Sequence, residues 1–262
     1  MANQTPLILI TNDDSIVAPG IRLLIDIMKT IGEVIIVAPD RPQSAMGHAI
    51  TINNTLHLDK VNLDPEIDLE YSCSGTPVDC VKLAVNEILK RKPDLCVSGI
   101  NHGSNASINV IYSGTMSAAV EACIEGIPAI GFSSLDYNWK ADLTPFRDYI
   151  KSIALNVLKN GLPKNVALNV NFPIYNPQKP IKGIKICRQA NAMWVEDFDK
   201  RTNPQGQEYY WLTGKFVDLD QGDDTDQWAL KNHYISIVPT QFDLTAHNAI
   251  TTLKQRNWQT IE

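Results

Sequence analysis

Short apolar runs recur between residues 7 and 170, and each ends in polar or turn-forming residues. Such runs predict strands that are buried on both faces of a parallel sheet. Because they alternate with helical patterns, they predict a Rossmann-like three-layer α/β/α fold around a mainly parallel sheet. The predicted strands cover residues 7–11, 34–38, 95–98, 128–132 and 166–170.

Helical spacing fills the intervals between these strands. Residues 21–28 carry apolar side chains at i, i+3, i+4 and i+7, which predicts a helix that begins near Pro19. The sequence Thr76-Pro77-Val78-Asp79 is typical of a helix start, with Thr76 as the N-cap. Further helices are therefore predicted over residues 76–90, 118–125, 142–159 and 245–255.

Two regions depart from this alternation. Apolar residues at Ile50, Ile52, Leu56 and Leu58 alternate in places and suggest antiparallel strands inserted between the parallel ones. Residues 180–220 are rich in aromatic side chains and predict a hairpin with a type I turn at 203–206. Because a hairpin with this many aromatic side chains should not be left exposed to solvent, it is expected to pack against another subunit or to cover the active site. The alternative is a hairpin folded on a core of its own.

The chain is long enough for one large domain. We expect a single domain over residues 1–262, with a core at 1–178 and 222–243 that includes a last strand at 235–238. Residues 180–220 are expected to form a protruding β-hairpin region, and residues 244–262 a C-terminal tail helix.

Composition narrows the function classes. The net charge of −6 argues against a nucleic-acid polymer as partner, although a bound metal still permits a phosphate substrate. We see neither a signal peptide nor an apolar stretch of membrane-spanning length, so a cytoplasmic protein without a membrane partner is expected. The five cysteines lie mostly in apolar runs and show no zinc spacing, which is typical of reduced core residues.

Asn12-Asp13-Asp14 directly follows the first predicted strand. Ligands of open α/β sheets bind at the carboxyl ends of the strands, and paired carboxylates there suit a hard divalent cation such as Mg²⁺ or Mn²⁺. The alternative is that the two acids cap the next helix or face solvent.

Polar clusters follow other predicted strand ends as well. Ser44 and Asn101 offer neutral oxygens that can complete the coordination of a cation held by Asp13 and Asp14. Ser113-Gly114-Thr115 would present hydroxyl and backbone N–H groups at a helix start, where anions bind. Glycines in the 98–105 cluster permit close approach of a ligand. Motifs for a P-loop, a dinucleotide fold or a hydrolase nucleophile elbow are missing.

A series of short motifs runs in order along most of the chain, at residues 8–14, 18–21, 37–44, 74–81, 98–103, 112–115, 169–171, 204–211 and 224–226. These motifs resemble those of the survival protein SurE family of metal-dependent 5′/3′-nucleotidases. The resemblance implies one divalent ion per subunit, Mg²⁺ or Mn²⁺, on Asp13, Asp14, Ser44 and Asn101. It also implies hydrolysis of nucleoside monophosphates, with short polyphosphate as a further substrate in related members. A homodimer or homotetramer that exchanges C-terminal elements is implied too.

We therefore expect a metal-dependent phosphomonoesterase. The expected catalytic residues are Asp13, Asp14 and Asn101, and the expected phosphate-binding residues are Asn12, Ser98, Gly99, Asn105, Ser113, Gly114 and Thr115. Whether Asp13 is only a ligand, and what His48 and His102 do, stays open. The alternatives are a phosphatase with an aspartyl-phosphate intermediate, a non-catalytic nucleotide sensor and a scaffold acting through its hairpin.

The chain departs from the family pattern at four positions. Ser15, Ser107 and His233 stand where the family usually has Gly, and Asn109 stands where it has Asp. None of these changes removes an expected metal ligand, but Ser15 and Ser107 are expected to alter loop geometry and substrate preference.

Overall fold

In the computed structural model, which describes residues 5–258, a nine-stranded sheet forms the centre of the molecule and a two-stranded hairpin extends from it. The strands are β1 (Leu7–Thr11), β2 (Glu33–Pro39), β3 (Leu58–Lys60), β4 (Glu70–Cys73), β5 (Leu95–His102), β6 (Ala129–Ser134), β7 (Val166–Phe172), β8 (Ile184–Ile186), β9 (Ala192–Thr202), β10 (Glu208–Asp218) and β11 (Ile235–Gln241). The predicted α/β fold with a mainly parallel sheet is confirmed.

Strand order creates a crevice beside β1. The sheet runs β3-β4-β2-β1-β5-β6-β7-β11-β8, and the strands from β4 to β7 in this order are parallel. The chain moves outward from β1 to β2 and β4, and then returns to β5 on the other side of β1. Such a reversal separates the loops that follow β1 and β5, which is where open α/β sheets bind ligands.

Helices cover both faces of the sheet. They are α1 (Pro19–Met28), α2 (Pro77–Leu83), α3 (Gly114–Ile124), α4 (Arg147–Asn160), α5 (Asp226–Lys231) and α6 (His247–Lys254). α1 and α4 pack on one face, whose core includes Ile8 and Ile10 of β1; α2 and α3 pack on the other, whose core includes Leu7 and Leu9. Side chains that alternate along β1 thus serve two cores.

The predicted start of α2 is confirmed. Thr76 is its N-cap, and the Thr76 hydroxyl accepts from the Asp79 backbone N–H, while the Asp79 carboxylate accepts from the Thr76 N–H at 2.9 Å. The helix continues through one wider turn, Ala84–Ile88, and so ends two residues before the predicted Lys90.

The prediction of antiparallel strands holds at Leu58, which lies in β3, but is wrong for Ile50, Ile52 and Leu56. These residues lie in a loop; β3 alone pairs antiparallel with β4, at the sheet edge, and β4 itself is parallel to β2. The physical reason is that backbone groups of the loop form hydrogen bonds with side chains at the start of α2 and not with a neighbouring strand. The Thr51 N–H donates to the Asp79 carboxylate, and the Ala49 carbonyl accepts from the Thr76 hydroxyl.

The hairpin is formed by β9 and β10, paired antiparallel from Ala192–Asp218 to Thr202–Glu208. At its tip the Gly206 N–H donates to the Asn203 carbonyl at 3.0 Å, which is the expected turn. Phe198, Tyr210 and Trp211 are exposed, so the hairpin has no core of its own.

Other expectations concern the surface and the chain ends. All five cysteines, each within the described residues, are free and buried. No helix in residues 5–258 combines the length and the apolarity needed to cross a bilayer. The expected core and tail helix also include residues 1–4 and 259–262, which lie outside the described residues.

Candidate active site

A cavity of about 750 Å³ opens at the carboxyl ends of β1 and β5. Of the residues expected at the site, Asp13, Asp14, Ser44, Asn101, Asn105 and Ser113 line it. They come from the loops after β1, β2 and β5, from the end of β5 itself and from the start of α3, so these polar groups meet at the crevice that the strand order predicts.

Asp13 is buried at the bottom of this group. Its Oδ1 accepts from the Thr115 hydroxyl at 2.5 Å, and Gly114 lies against the other oxygen. A Cβ on Gly114 would stand 2.9 Å from Asp13 Oδ2, so any side chain there would push the carboxylate away. Burial and the neighbouring Asp14 raise the pKa of Asp13 to about 6, against the lowering effect of Thr115. A cation beside Asp13 would counter both causes.

Asp14 is also buried, and its Oδ2 accepts from the His102 backbone N–H at 3.2 Å. Burial raises the pKa of this carboxyl as well. Asn12 is turned away from the cavity, because its Nδ2 donates to the Ser15 carbonyl at 2.8 Å. Asn12 Oδ1 is buried without a hydrogen-bond partner among the described residues.

Asn101 reaches the cavity through an irregularity in β5. The pairing of β5 with β6 shifts register between Ser98 and Asn101, and such a bulge changes where the following side chains point. Asn101 Nδ2 donates to the Gly103 carbonyl at 2.9 Å, which leaves Oδ1 as its acceptor oxygen. The sequence predicted that β5 ends at Ser98; the strand in fact continues through this bulge to His102.

The start of α3 also borders the cavity, through Ser113. Ser113 is the N-cap of α3, and its hydroxyl accepts from the Met116 N–H at 3.0 Å. Asn105 is fixed nearby, since its N–H donates to Asn171 Oδ1 and its Nδ2 donates to the Ser133 hydroxyl. The Met116 N–H is thus taken by Ser113 and the Thr115 N–H by the Asp13 carboxylate, so Ser113 is the residue through which the start of α3 reaches the cavity.

Five expected phosphate-binding residues lie behind this surface rather than on it: Asn12, Ser98, Gly99, Gly114 and Thr115. Thr115 and Gly114 shape the surroundings of Asp13. Ser98 is fully buried, and Gly99 packs so closely that a Cβ would lie 2.3 Å from the Phe132 carbonyl oxygen. The structure thus places these residues where they support the lining groups.

The charge of the lining is one-sided. Asp13, Asp14 and Glu196 are acidic, whereas no Lys or Arg occurs among the described residues that line the cavity. Nor does any cluster of three or more His, Cys, Asp or Glu side chains in residues 5–258 have a metal-binding arrangement. The adjacent carboxylates of Asp13 and Asp14, with the amide oxygen of Asn101 and the hydroxyl of Ser44, form a set of ligands that suits Mg²⁺ or Mn²⁺ better than Zn²⁺.

His102 lines the cavity, whereas His48 does not. The Nδ1 of His102 lies 3.1 Å from the Asn138 carbonyl, and burial lowers the pKa of this imidazole. His48 instead contacts Glu121 on α3, with 2.8 Å between Nε2 and Oε2.

Part of the cavity lining lies outside the sequence motifs and was not predicted. Tyr137 follows β6, and the base of the hairpin adds Trp194, Glu196 and residues 212–214. The only signal for them was the aromatic content of residues 180–220, which predicted a hairpin that packs on a subunit or covers the site. In this structure the hairpin base forms one wall of the cavity.

The departures from the family pattern have structural counterparts. Ser15, Ser107 and His233 all have positive φ, at 92°, 56° and 63°, a conformation that glycine adopts most easily. The Ser107 hydroxyl lies 2.9 Å from the carbonyls of Ala190 and Ala192 at the hairpin base, and Asn109 Oδ1 accepts from Trp194 Nε1 at 2.8 Å.

Comparison with known proteins agrees with this geometry. The family model described as "Survival protein SurE" matches residues 8–196. A protein named 5′-nucleotidase SurE from Flavobacterium psychrophilum is 71% identical over 253 residues, covering 97% of each chain. One of the same name from Bacteroides fragilis is 45% identical over 260 residues, covering 99% of this chain and 100% of the relative.

A solved structure gives the same result. The crystal structure of SurE protein from Aquifex aeolicus superimposes with a TM-score of 0.82 at 37% identity, covering 95% of this chain and 98% of that one. The resemblance recognised in the motifs is therefore confirmed over nearly the whole length. The chain belongs to the survival protein SurE family.

Proposed function

We propose that this chain is a 5′-nucleotidase that needs a divalent cation to release phosphate from nucleoside monophosphates. The observation that carries the proposal is the cavity between β1 and β5, where a buried acidic pair faces the start of α3 without any lining Lys or Arg. A phosphate dianion is repelled by such a lining unless a cation neutralises it. The relatives named 5′-nucleotidase support the same reaction.

The residues present fit one Mg²⁺ or Mn²⁺ per subunit. Asp13 and Asp14 would supply charge, and Asn101 Oδ1 and Ser44 Oγ would supply neutral oxygens. The raised pKa values of both carboxyls point in the same direction, because each is a buried acceptor that lacks a neighbouring positive charge among the described residues.

The residues then divide the work. When bound, the cation supplies Lewis acidity toward phosphate oxygens and lowers the pKa of coordinated water. Ser113 at the start of α3 and Asn105 line the cavity, and they would hold the phosphate by hydrogen bonds to its charged oxygens. Thr115 and Gly114 keep Asp13 in place, which fixes the phosphate relative to the acidic pair.

A substrate panel tests this proposal. Phosphate release is measured from nucleoside 5′- and 3′-monophosphates and from short polyphosphate, with Mn²⁺, with Mg²⁺ and with excess chelator. We expect release from 5′-nucleotides that chelator abolishes and metal restores. The 3′-nucleotides and short polyphosphate are included because the wider family resemblance suggests them. Chelator-resistant release with a phosphorylated Asp13 would support the aspartyl-phosphate mechanism, and tight nucleotide binding without release would support a sensor.

Assembly and location belong to the same proposal. A homodimer or homotetramer would cover the apolar side chains that the hairpin exposes, among them Phe198, Tyr210 and Trp211. The free, buried thiols suit the reducing cytoplasm. Cell fractionation with an antibody tests the location, and a periplasmic or secreted protein would contradict it.

A further inference from the structure

The candidate site has an aromatic side that phosphate and cation do not use. Tyr112, Tyr137 and Trp194 line the same cavity as the acidic pair, and each keeps much of its surface exposed. Tyr137 lies against Gly103, where an added Cβ would stand 2.7 Å from the tyrosine ring. Exposed aromatic surface inside a cavity is costly in water, which indicates that a ligand covers it.

Trp194 is the aromatic residue whose orientation is fixed. Its indole N–H donates to Asn109 Oδ1 at 2.8 Å, and its ring meets Phe216 edge to face at 5.4 Å. Asn109 is held in turn, because its Nδ2 donates to the Ser104 carbonyl at 3.1 Å. Trp194 nevertheless remains 44% exposed. An indole with its polar edge satisfied and its orientation set has apolar ring surface available for contact.

Asn109 suits this role better than the Asp that the family has there. An amide accepts from the indole and donates to the Ser104 carbonyl at once, whereas a carboxylate only accepts. Asn109 therefore links the hairpin base to the loop after β5, which carries other lining residues.

The remaining part of a nucleotide fits this wall. The cavity of about 750 Å³ falls within the range of roughly 300–1,000 Å³ that small-molecule sites occupy, so a nucleoside can be accommodated beyond its phosphate. Every nucleobase has a π face, and stacking on an aromatic side chain tolerates base identity. A bare sugar phosphate or a polyphosphate has no such face.

We propose that Trp194, positioned by Asn109, stacks on the nucleobase and makes the site favour nucleotides over other phosphomonoesters. The inference rests on the proposed nucleotidase function. Because stacking gains with ring area, purine nucleotides are preferred to pyrimidine nucleotides, and no single base is required.

The test compares adenosine 5′-monophosphate with ribose 5-phosphate, which lacks only the base. For Trp194→Ala, the ratio of kcat/KM for the two substrates is expected to fall about tenfold, mainly through KM for the nucleotide. Trp194→Phe retains a ring and is expected to keep most of the ratio. Asn109→Leu should lower the ratio, and Asn109→Asp, which still accepts from the indole but cannot donate to the Ser104 carbonyl, should lower it less.

An equal loss for both substrates in Trp194→Ala, or an unchanged ratio, overturns the inference. Calorimetric binding of the two compounds to wild type and Trp194→Ala, in the presence of Mn²⁺, separates the two proposals. Nucleotide binding that depends on Trp194 without phosphate release would contradict the nucleotidase and leave the stacking site standing.

Discussion

Asp13 illustrates how single residues make the site. Its carboxylate is buried beside that of Asp14. The Thr115 hydroxyl donates to it, and Gly114, which has no Cβ, leaves room for it. Burial and Asp14 raise the pKa of Asp13 to about 6 despite hydrogen bonds from the hydroxyl and backbone of Thr115, so within residues 5–258 neutral donors and no cationic side chain hold the carboxylate in position. Geometry is thus preserved while the charge stays available to a cation.

Thr115 permits a matched test of this arrangement. Thr115→Val keeps the shape but removes the hydroxyl that donates to Asp13, and Thr115→Ser keeps the donor. We expect Thr115→Val to weaken Mn²⁺ binding and nucleotide hydrolysis by about 10–100-fold, as is usual when a partner of a metal ligand is removed. Calorimetry and phosphate release measure the two effects. Equal values for Val and Ser would show that the hydroxyl has no such role.

Only part of the site can be predicted residue by residue. Asp13, Asp14 and Ser44 follow strands and Asn101 lies near the carboxyl end of β5, and the parallel direction of these strands brings their ends to one edge of the sheet. Trp194 belongs to a different element that crosses the cavity only after the chain has folded. The residues next to Trp194 in the sequence therefore do not predict that it lies at the cavity.

At the scale of elements, strands and caps were the predictable features. β1 has the predicted bounds, and the capping box at Thr76 and Asp79 forms as expected. Residues 49–57 form a loop and no antiparallel strands, because backbone groups of this loop bond to side chains at the start of α2 where a strand would bond to a neighbouring strand. The bulge in β5 was unpredictable too, since it depends on pairing with β6.

The turn between α5 and β11 offers a stability test. His233 has a φ of 63° there, and the left-handed conformation costs an L-residue with a side chain about 1–2 kcal/mol. We expect His233→Gly to raise the free energy of unfolding by about 1 kcal/mol and Tm by about 2–4 °C, since glycine loses part of the gain to entropy. His233→Asn should fall between the two in thermal denaturation. A lower Tm for His233→Gly would mean that the imidazole makes a stabilising contact.

At the scale of the whole molecule, the hairpin would connect the cavity with the proposed assembly. Its base lines the cavity, while Phe198 and Tyr210 lie on one exposed face farther along the strands. Aromatic side chains bury roughly 150–250 Å² each when covered, so this face can drive association. A change in assembly at the tip is therefore expected to reach the site through the hairpin.

The double variant Phe198→Ser/Tyr210→Ser tests this connection. We expect it to shift the protein toward monomer in sedimentation velocity, because the apolar face is lost, and to raise KM for nucleotide. Lys215→Ser, an exposed polar change on the same hairpin, is the control and should leave the oligomer intact. A wild-type protein that sediments as a monomer would refute the assembly proposal.

The proposed function requires the Asp13 carboxylate to help hold a cation that nucleotide hydrolysis needs. The most direct measurement is phosphate release from a nucleoside 5′-monophosphate by wild type and Asp13→Asn at saturating Mn²⁺, with circular dichroism confirming that the variant is folded. Asn keeps an oxygen that can accept from Thr115 but removes the charge. We predict a loss of about 100-fold or more, beyond the effect of altering a ligand's partner. Near-wild-type phosphate release by folded Asp13→Asn would show that the Asp13 carboxylate does not hold the required cation.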